Sequence, residues 1–285
     1  AGVTMVSPAS TSPAITSLKD QDLLFRTTPS DLYQGSVMAR LLRSKGIDRI
    51  AITYVDNDYG KGFADALAAA FMAAGGKIDA NEPHEEGKAD YSEKIRTLAA
   101  SGVDTLVVLA YANGSGQTII RQAVKSGDFD QFVGGDGMVN DSLIGAIGAD
   151  KLRGMIATRP GVPDTTSARI FKKLAWADDL NPTATFAAQS YDAAFLLALA
   201  IEKNGSAERE GLSKALRAVA TAPGEVVRPG EWQKAKDLLK AGKEINYEGA
   251  TGSLEFDKAG DVSGVIIELG VYVRFGSFIE FGQIK

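Results

Sequence analysis

The first half of the chain alternates short runs of β-branched and aliphatic residues with longer segments of helical composition and spacing. Each run stops close to a glycine, aspartate or asparagine. This alternation is typical of βαβ units in a parallel sheet, so the sequence predicts an α/β protein. The predicted strands are 49–55, 77–80, 105–110, 131–134 and 155–159, and the predicted helices are 33–44, 59–74, 91–101 and 115–125.

The second half of the chain is dominated by helical patterns, and extended patterns return only near its end. The predicted helices are 165–176, 185–203, 210–220 and 231–239, and the predicted extended segments are 252–256, 265–274 and 277–281, with another at 3–6. No repeat, low-complexity tract or linker marks a domain boundary. Because 285 residues exceed the usual size of a single core, we expect two α/β domains.

The composition excludes several classes of protein. A hydrophobic fraction of 45% and a charged fraction of 24% indicate a globular chain, and a mixed net charge of −5 argues against a nucleic-acid partner. The absence of cysteine excludes disulfides, thiolate metal sites and cysteine nucleophiles. The longest apolar runs are too short to cross a bilayer, so we expect a soluble chain whose signal peptide is absent or already removed.

Ligands of open parallel sheets bind beyond the carboxyl ends of the strands, which directs attention to the loops there. The loop at 7–13 carries small hydroxyl residues before a short helical run, and its hydroxyls and amides suit a carboxylate or phosphate. The alternative is simple helix capping by Thr11 or Ser12. Asp31 opens the helix at 33–44, where it either caps the helix or also binds a cationic group.

Two glycine-containing loops are further candidates. The loop at 110–116 contains Tyr111 and resembles a phosphate-cradling turn, but it lacks the Gly-Lys-Ser/Thr ending of a P-loop. A flavodoxin-like nucleotide-dependent enzyme therefore stays open as an alternative. In the loop at 134–137, three glycines surround Asp136, which indicates either close approach of a ligand to the backbone or an ordinary turn.

No pattern indicates a metal, a cofactor or a catalytic residue. The acidic stretch at 56–60 does not continue into an EF-hand loop and is better explained by helix capping. His84, beside two glutamates, is the only histidine, so it is expected in a solvated turn. No nucleophile elbow accompanies it.

Taken in order, six segments of the chain resemble the branched-chain amino-acid-binding (Leu/Ile/Val-binding) family, the periplasmic solute-binding proteins of ABC transporters. Any one of the segments is weak, but their ordered series is specific and spans nearly the whole chain. The segments are GVTMVSPASTSPAIT at 2–16, FRTTPSDLYQG at 25–35, DNDYGKG at 56–62, DTLVVLAYANGSGQTIIRQA at 104–123, FVGGDGM at 132–138 and YEGATGSLEFDKAGDVSG at 247–264.

The resemblance implies a type I periplasmic-binding-protein fold, with two lobes that are each a parallel sheet flanked by helices. Lobe I is expected at 1–30 and 160–264, and lobe II at 31–159 and 265–285. Family members usually begin with a further βαβ segment, so the first lobe is expected to be truncated and short of strands.

The resemblance also implies a binding site without catalytic groups. The implied ligand-binding residues are Ala9, Ser10, Thr11, Asp31, Tyr59, Tyr111 and Asp136. Thr11 and neighbouring amides would receive a carboxylate, and Asp31 and Asp136 would face an ammonium group. Asp136 stands where the family often has a glutamate. The aspartate keeps the negative charge, but its shorter side chain reaches less far.

The implied function is that of a periplasmic or extracytoplasmic solute-binding component of an ABC importer, which is not an enzyme. The expected partners are a small solute, namely a branched-chain or similar amino acid, and a membrane permease. A binder of an aromatic acid, an amide or another small carboxylate is the alternative within the family. A ligand-sensing receptor domain of the same fold is a further alternative.

Overall fold

The computed structural model describes residues 2–284, and the chain divides into two compact units. Unit 1 comprises residues 1–30 and 160–265, and unit 2 comprises residues 31–159 and 266–285. Sheets with mainly parallel pairing are flanked by helices, which confirms the predicted α/β class.

The secondary-structure elements are numbered in chain order. The strands are β1 (Met5–Ser7), β2 (Leu24–Arg26), β3 (Arg49–Val55), β4 (Lys77–His84), β5 (Thr105–Leu109), β6 (Gln131–Gly134), β7 (Ile156–Pro160), β8 (Glu225–Val227), β9 (Ile245–Gly249), β10 (Gly252–Ser253), β11 (Ile266–Tyr272) and β12 (Ser277–Gln283). The α-helices are α1 (Asp31–Ser44), α2 (Asp58–Ala73), α3 (Ser92–Ala99), α4 (Ser115–Ser126), α5 (Asp141–Ile147), α6 (Thr166–Ala177), α7 (Ala187–Asn204), α8 (Leu212–Ala220) and α9 (Trp232–Lys240). Two 3-10 helices span Pro13–Ser17 and Asp136–Met138.

Unit 2 is built on a seven-stranded sheet with the order β12-β11-β7-β6-β5-β3-β4. The strands β4, β3, β5, β6 and β7 pair in parallel, and the hairpin β11–β12 is antiparallel. All five residues of β5 are buried, as expected for a strand covered on both faces. Alternate residues enter opposite cores: Leu106 packs into one hydrophobic cluster and Val107 into the other.

Among its described residues, unit 1 contains two small sheets, four α-helices and the 3-10 helix at Pro13–Ser17. The strands β1 and β2 form a parallel pair, with Met5 opposite Leu24. The second sheet has the order β10-β9-β8, in which β8 and β9 are parallel and β10 is antiparallel. The core packs Phe25 of β2 against α7, α8 and β9 through residues such as Leu196, Leu216 and Tyr247.

A buried carboxylate fixes the turn between β9 and β10. Asp192 of α7 accepts hydrogen bonds from the Tyr247 hydroxyl at 2.8 Å and from the Ala250 amide at 2.8 Å. Its other oxygen accepts from the amide and hydroxyl of Thr251 at 2.8 and 2.6 Å. Burial raises the pKa of Asp192 above its ordinary value, and these four donors oppose that shift.

Several predicted boundaries need correction. The extended segment predicted at 252–256 contains only the two-residue strand β10, because the chain turns toward the loop at 257–261. The strands β2, β8 and β9 and the helix α5 were not predicted, since elements of three to seven residues carry little periodicity. The helix predicted at 91–101 spans only Ser92–Ala99, with Tyr91 as its N-cap residue. Within residues 2–284, none of the helices combines the length and hydrophobicity required of a membrane span.

Replacing Asp192 with asparagine should lower the free energy of unfolding by about 2–4 kcal/mol. The NH2 group of asparagine takes the place of one carboxylate oxygen, so the donors that faced this oxygen lose their acceptor. Asp164→Asn is the matched control in the same unit, since its carboxylate is exposed and its ion pair with Arg169 contributes little. Urea denaturation of both variants checks this. Equal stability of D192N and D164N would contradict the role assigned to Asp192.

Candidate ligand-binding site

Three of the predicted site residues lie just after parallel strands of unit 2. Tyr59 follows β3 in the first turn of α2, Tyr111 follows β5, and Asp136 follows β6. Because β3, β5 and β6 are parallel neighbours, their carboxyl ends open along one edge of the sheet. The fold therefore brings together residues that are up to 77 positions apart.

Asp136 is the centre of this cluster. Only 7% of the residue is exposed, and its Oδ1 atom accepts from the Tyr59 hydroxyl at 3.3 Å and from Gln34 Nε2 at 3.3 Å. The Tyr59 hydroxyl in turn accepts from the Gly137 amide at 3.2 Å. Both side-chain donors thus act on Oδ1 and fix the carboxylate.

Burial changes the acidity of this pair. Loss of hydration raises the pKa of Asp136 to about 6, although the hydrogen bonds from Tyr59 and Gln34 act in the opposite direction. Burial, followed by the negative charges of Asp136 and Asp31, raises the pKa of Tyr59 well above its ordinary value. Tyr59 is therefore a neutral donor, and Asp136 is an anion near neutral pH that an added positive charge would stabilise.

Two aromatic rings form a wall beside the carboxylate. The rings of Tyr59 and Tyr111 are stacked, with their centroids 5.4 Å apart and 25° between their planes. Tyr111 is 41% exposed, and its hydroxyl accepts from Asn57 Nδ2 at 3.5 Å. A stacked, partly exposed ring offers apolar area together with a polar tip.

Close packing requires glycine at position 137. A Cβ atom there would lie 2.5 Å from the Ala110 carbonyl oxygen and 3.0 Å from the Tyr59 hydroxyl. The Gly137 carbonyl also accepts from the Ala112 amide at 2.9 Å, which joins the loops after β5 and β6. The glycine at 137 is therefore required by the protein's own backbone and by Tyr59, and close approach of a ligand to this loop stays a prediction.

Asp31 is buried at the first position of α1, inside the helix rather than before it. Sequence reasoning missed Gln34, which lies three residues later on the same helix face. Gln34 is fully buried, and its Nε2 also donates to the carbonyl and hydroxyl oxygens of Thr158 at 3.0 and 3.2 Å. A glutamine one turn after an acidic first-turn residue is the only local signal for this position.

The remaining predicted residues, Ala9, Ser10 and Thr11, belong to unit 1. The Ser7 hydroxyl accepts from the Ser10 amide at 3.0 Å and from the Ala9 amide at 3.4 Å. Ser12 caps the 3-10 helix that follows, and Thr11 is buried. The amides of Ala9 and Ser10 therefore already have an acceptor within the loop, and a ligand role for this segment stays a prediction.

His84 does not lie in a solvated turn, so that expectation is wrong. It is 3% exposed at the end of β4, with Nδ1 at 2.9 Å from the Thr53 hydroxyl and Nε2 at 3.0 Å from the Ser115 hydroxyl. Burial lowers its pKa to about 4, which makes it neutral at physiological pH. The two glutamates beside His84 misled the prediction. His84 is the last residue of β4, and its side chain enters the core.

The glycine turn before α4 is occupied by a carboxylate of the chain itself. Glu86 accepts from the Ser115 amide at 2.7 Å and from the Ser115 hydroxyl at 2.6 Å, and a Cβ at Gly114 would lie 2.3 Å from Glu86 Oε1. An anion therefore already fills the position that a phosphate would need, which weighs against the nucleotide alternative. Over residues 2–284, no group of histidine and acidic side chains is arranged to hold a metal ion.

Comparison with known proteins identifies the family. The model of the receptor family ligand binding region matches residues 1–269. The chain belongs to this family. The leucine-, isoleucine-, valine-, threonine- and alanine-binding protein of Pseudomonas aeruginosa is 30% identical over 264 residues, which cover 92% of this chain and 63% of that protein. The chain thus spans less than two thirds of the length of this relative.

Solved structures of known proteins share the fold of this chain. A leucine-binding protein from Thermotoga maritima has a TM-score of 0.79 at 23% identity, covering 100% of this chain and 73% of that one. A solute-binding protein of an ABC transporter from R. palustris, in complex with benzoate, has a TM-score of 0.75 at 15% identity and covers 99% and 71% of the two chains. These similarities confirm the predicted type I periplasmic-binding-protein fold.

The raised pKa of Asp136 predicts how stability changes with pH. Between the ordinary pKa of 3.8 and the folded value of about 6, the folded chain holds a proton that the unfolded chain has lost. The contribution of Asp136 to the free energy of unfolding should therefore fall by about 2 kcal/mol as pH rises from 4 to 7.

Urea denaturation of the wild type and of Asp136→Asn across this pH range measures that contribution as a difference. Asp150→Asn is the control, since its exposed carboxylate pairs only with Arg153 at the surface. A difference between the wild type and D136N that does not change with pH would show that Asp136 titrates normally.

Proposed function

We propose that the chain is the extracytoplasmic solute-binding component of an ABC importer and that it captures an amino acid without catalysing a reaction. The observation that carries the proposal is the buried Asp136 carboxylate, whose Oδ1 is fixed by Tyr59 and Gln34. A buried anion near an exposed aromatic ring suits a solute with an ammonium group and an apolar side chain. The Pseudomonas relative, named for binding leucine, isoleucine, valine, threonine and alanine, supports the same class of solute.

In this proposal each predicted residue has a defined role. Asp136, assisted by Asp31, binds the ammonium group, and the stacked rings of Tyr59 and Tyr111 contact the apolar side chain. The segment at 9–11 of unit 1 receives the carboxylate. The captured solute is then delivered to a membrane permease, which is the proposed protein partner.

An aromatic acid is the second candidate solute. The exposed ring of Tyr111 provides a stacking surface for an arene, and the R. palustris protein of similar fold was solved with benzoate. Benzoate, however, has no cation for Asp136, so its carboxylate would have to avoid this anion. An amino acid therefore needs the negative charge of Asp136, whereas benzoate is repelled by it.

A thermal-shift panel of L-leucine, L-isoleucine, L-valine, benzoate and ATP distinguishes the candidates. A solute at 100 times its dissociation constant should stabilise the chain by about 2.7 kcal/mol. We expect stabilisation by at least one of the three amino acids. Stabilisation by benzoate alone would replace the proposal with the aromatic-acid alternative, and stabilisation by ATP alone would restore the nucleotide alternative.

The pH dependence of affinity tests the role of Asp136 itself. Because the ammonium group needs the ionised carboxylate, whose pKa is about 6, the dissociation constant for the amino acid should be about tenfold higher at pH 5 than at pH 7. Asp136→Asn should weaken binding at least about tenfold at pH 7 and abolish the pH dependence. Calorimetry of the wild type, D136N and the surface control D150N checks both points, and wild-type affinity in D136N would contradict the assignment.

A further inference from the structure

A carboxylate from the loop after β4 caps helix α4. The N-cap residue of α4 is Gly114, which has no side chain to accept hydrogen bonds from the first turn. Glu86 supplies the acceptors instead, at 2.7 Å from the Ser115 amide and 2.6 Å from the Ser115 hydroxyl. Position 114 requires glycine, because a Cβ there would lie 2.3 Å from Glu86 Oε1. The start of α4 is therefore held by a residue 29 positions before Ser115.

The loop that carries Glu86 is itself fixed against the same helix. The Tyr91 hydroxyl donates to the Glu85 carbonyl at 2.7 Å and accepts from the Lys88 amide at 3.0 Å. Tyr91 is 4% exposed, and its amide donates to Gln122 Oε1 of α4 at 2.8 Å. The backbone on both sides of Glu86 is thus anchored independently of its carboxylate, so replacing the side chain leaves the loop in place.

A chain of hydrogen bonds through His84 depends on Glu86. The neutral His84 ring has one N–H, and the Glu86 carboxylate offers only acceptors. The Ser115 hydroxyl therefore donates to Glu86 and accepts from His84 Nε2, which lies 3.0 Å from it. This arrangement places the ring proton on Nε2. Nδ1 then accepts from the Thr53 hydroxyl at 2.9 Å, whose alternative acceptor is the Glu82 carbonyl at 3.0 Å.

Loss of the Glu86 acceptors would reverse this chain. The Ser115 hydroxyl would donate to His84 Nε2, and the ring proton would move to Nδ1 and be donated to Thr53. The Thr53 hydroxyl would then donate to the Glu82 carbonyl, so that each remaining contact has one hydrogen. The tautomer of His84 therefore reports whether Glu86 holds Ser115, and His84 is the only histidine of the chain.

The start of α4 sets the position of Tyr111 through a tight turn. The Gly114 amide donates to the Tyr111 carbonyl at 3.0 Å, and a Cβ at Gly116 would lie 2.8 Å from that carbonyl oxygen. The Tyr111 side chain has a weaker restraint, since its hydroxyl lies 3.5 Å from Asn57 Nδ2 and the residue is partly exposed. The backbone between the ring and α4 therefore keeps the ring in its stack on Tyr59.

We propose that Glu86 is a positioning residue for solute binding, which holds Ser115 and thereby keeps the Tyr111 ring stacked on Tyr59. All of these residues belong to unit 2. The inference rests on the proposed function, because that function assigns the apolar side chain of the solute to the two rings. Glu86 acts through the start of α4 and not on the solute.

Glu86→Ala tests the inference, because it removes both acceptors of Ser115. Glu86 lies at the surface, so the substitution leaves the hydrophobic core intact. Glu85→Ala is the matched control, since it removes a neighbouring carboxylate that pairs with Lys88 instead of Ser115. Glu86→Gln is the conservative variant, because its carbonyl oxygen keeps an acceptor for the Ser115 amide.

NMR of the ligand-free chain gives two readouts that need no solute. Nitrogen shifts of the His84 ring should show the Nε2–H tautomer in the wild type and E85A, and the Nδ1–H tautomer in E86A and E86Q. Nuclear Overhauser contacts between the rings of Tyr59 and Tyr111 should be present in the wild type, E85A and E86Q and lost in E86A. Either an Nε2–H ring or persistent ring contacts in E86A would overturn the inference.

Calorimetry with L-leucine and L-alanine tests the consequence for binding, because the two solutes differ only in their side chains. E86A should bind L-leucine about fivefold more weakly than the wild type and L-alanine within about twofold, since only the longer side chain reaches the rings. E86Q should recover most of the L-leucine affinity lost in E86A. Unchanged L-leucine affinity in E86A, or equal weakening for both solutes, would overturn the inference.

The proposed function and the role of Glu86 can fail separately. If the wild type binds neither amino acid, the proposed function fails and the binding role with it, while the NMR readouts still decide whether Glu86 holds the ring. An L-leucine affinity of E86Q no higher than that of E86A would overturn the positioning role, because the Ser115 amide keeps its acceptor in E86Q.

Gly114→Ala serves as a second variant if E86A does not fold. The added Cβ meets Glu86 Oε1 and displaces the carboxylate without removing it. This variant should convert His84 to the Nδ1–H tautomer and weaken L-leucine binding about threefold. Either an Nε2–H ring or wild-type affinity for L-leucine in G114A would overturn the inference.

Discussion

Parallel pairing of β3, β5 and β6 is the constraint from which the site in unit 2 follows. Parallel strands direct their carboxyl ends to the same edge, so the loops after them must meet there. Tyr59, Tyr111 and Asp136 begin these loops or the helices that follow them, and they are in contact because of this arrangement. The middle strand β5 is buried along its whole length, so both of its faces pack against the core of unit 2.

At this edge of the sheet, burial removes the Asp136 carboxylate from water, which distinguishes it from an exposed aspartate. Asp136 loses hydration, and the hydrogen bonds from its own backbone amide, from Tyr59 and from Gln34 offset only part of that loss. A cation that approaches would restore the lost interaction. Exposed carboxylates such as Asp150 have no such deficit, because water and a surface arginine already satisfy them.

The sequence allowed prediction of those features that leave a local pattern. The strand at 49–55 has the predicted bounds, and the position of Asp136 after β6 follows from its loop. The partners of these residues could not be predicted in the same way. Gln34 lies 102 residues before Asp136, so no periodicity in the sequence connects the two. His84 shows the converse error, because charged neighbours indicated solvent where the strand directs the ring inward.

The central claim is that Asp136 is the acceptor for the ammonium group of a captured amino acid. Its most direct test is a pH titration of the Asp136 carboxyl carbon by NMR, recorded on the free chain and on the chain saturated with L-leucine. The account predicts a pKa of about 6 in the free chain and a value below the ordinary 3.8 when the ammonium group is bound. A pKa that stays unchanged or rises on saturation would contradict the account.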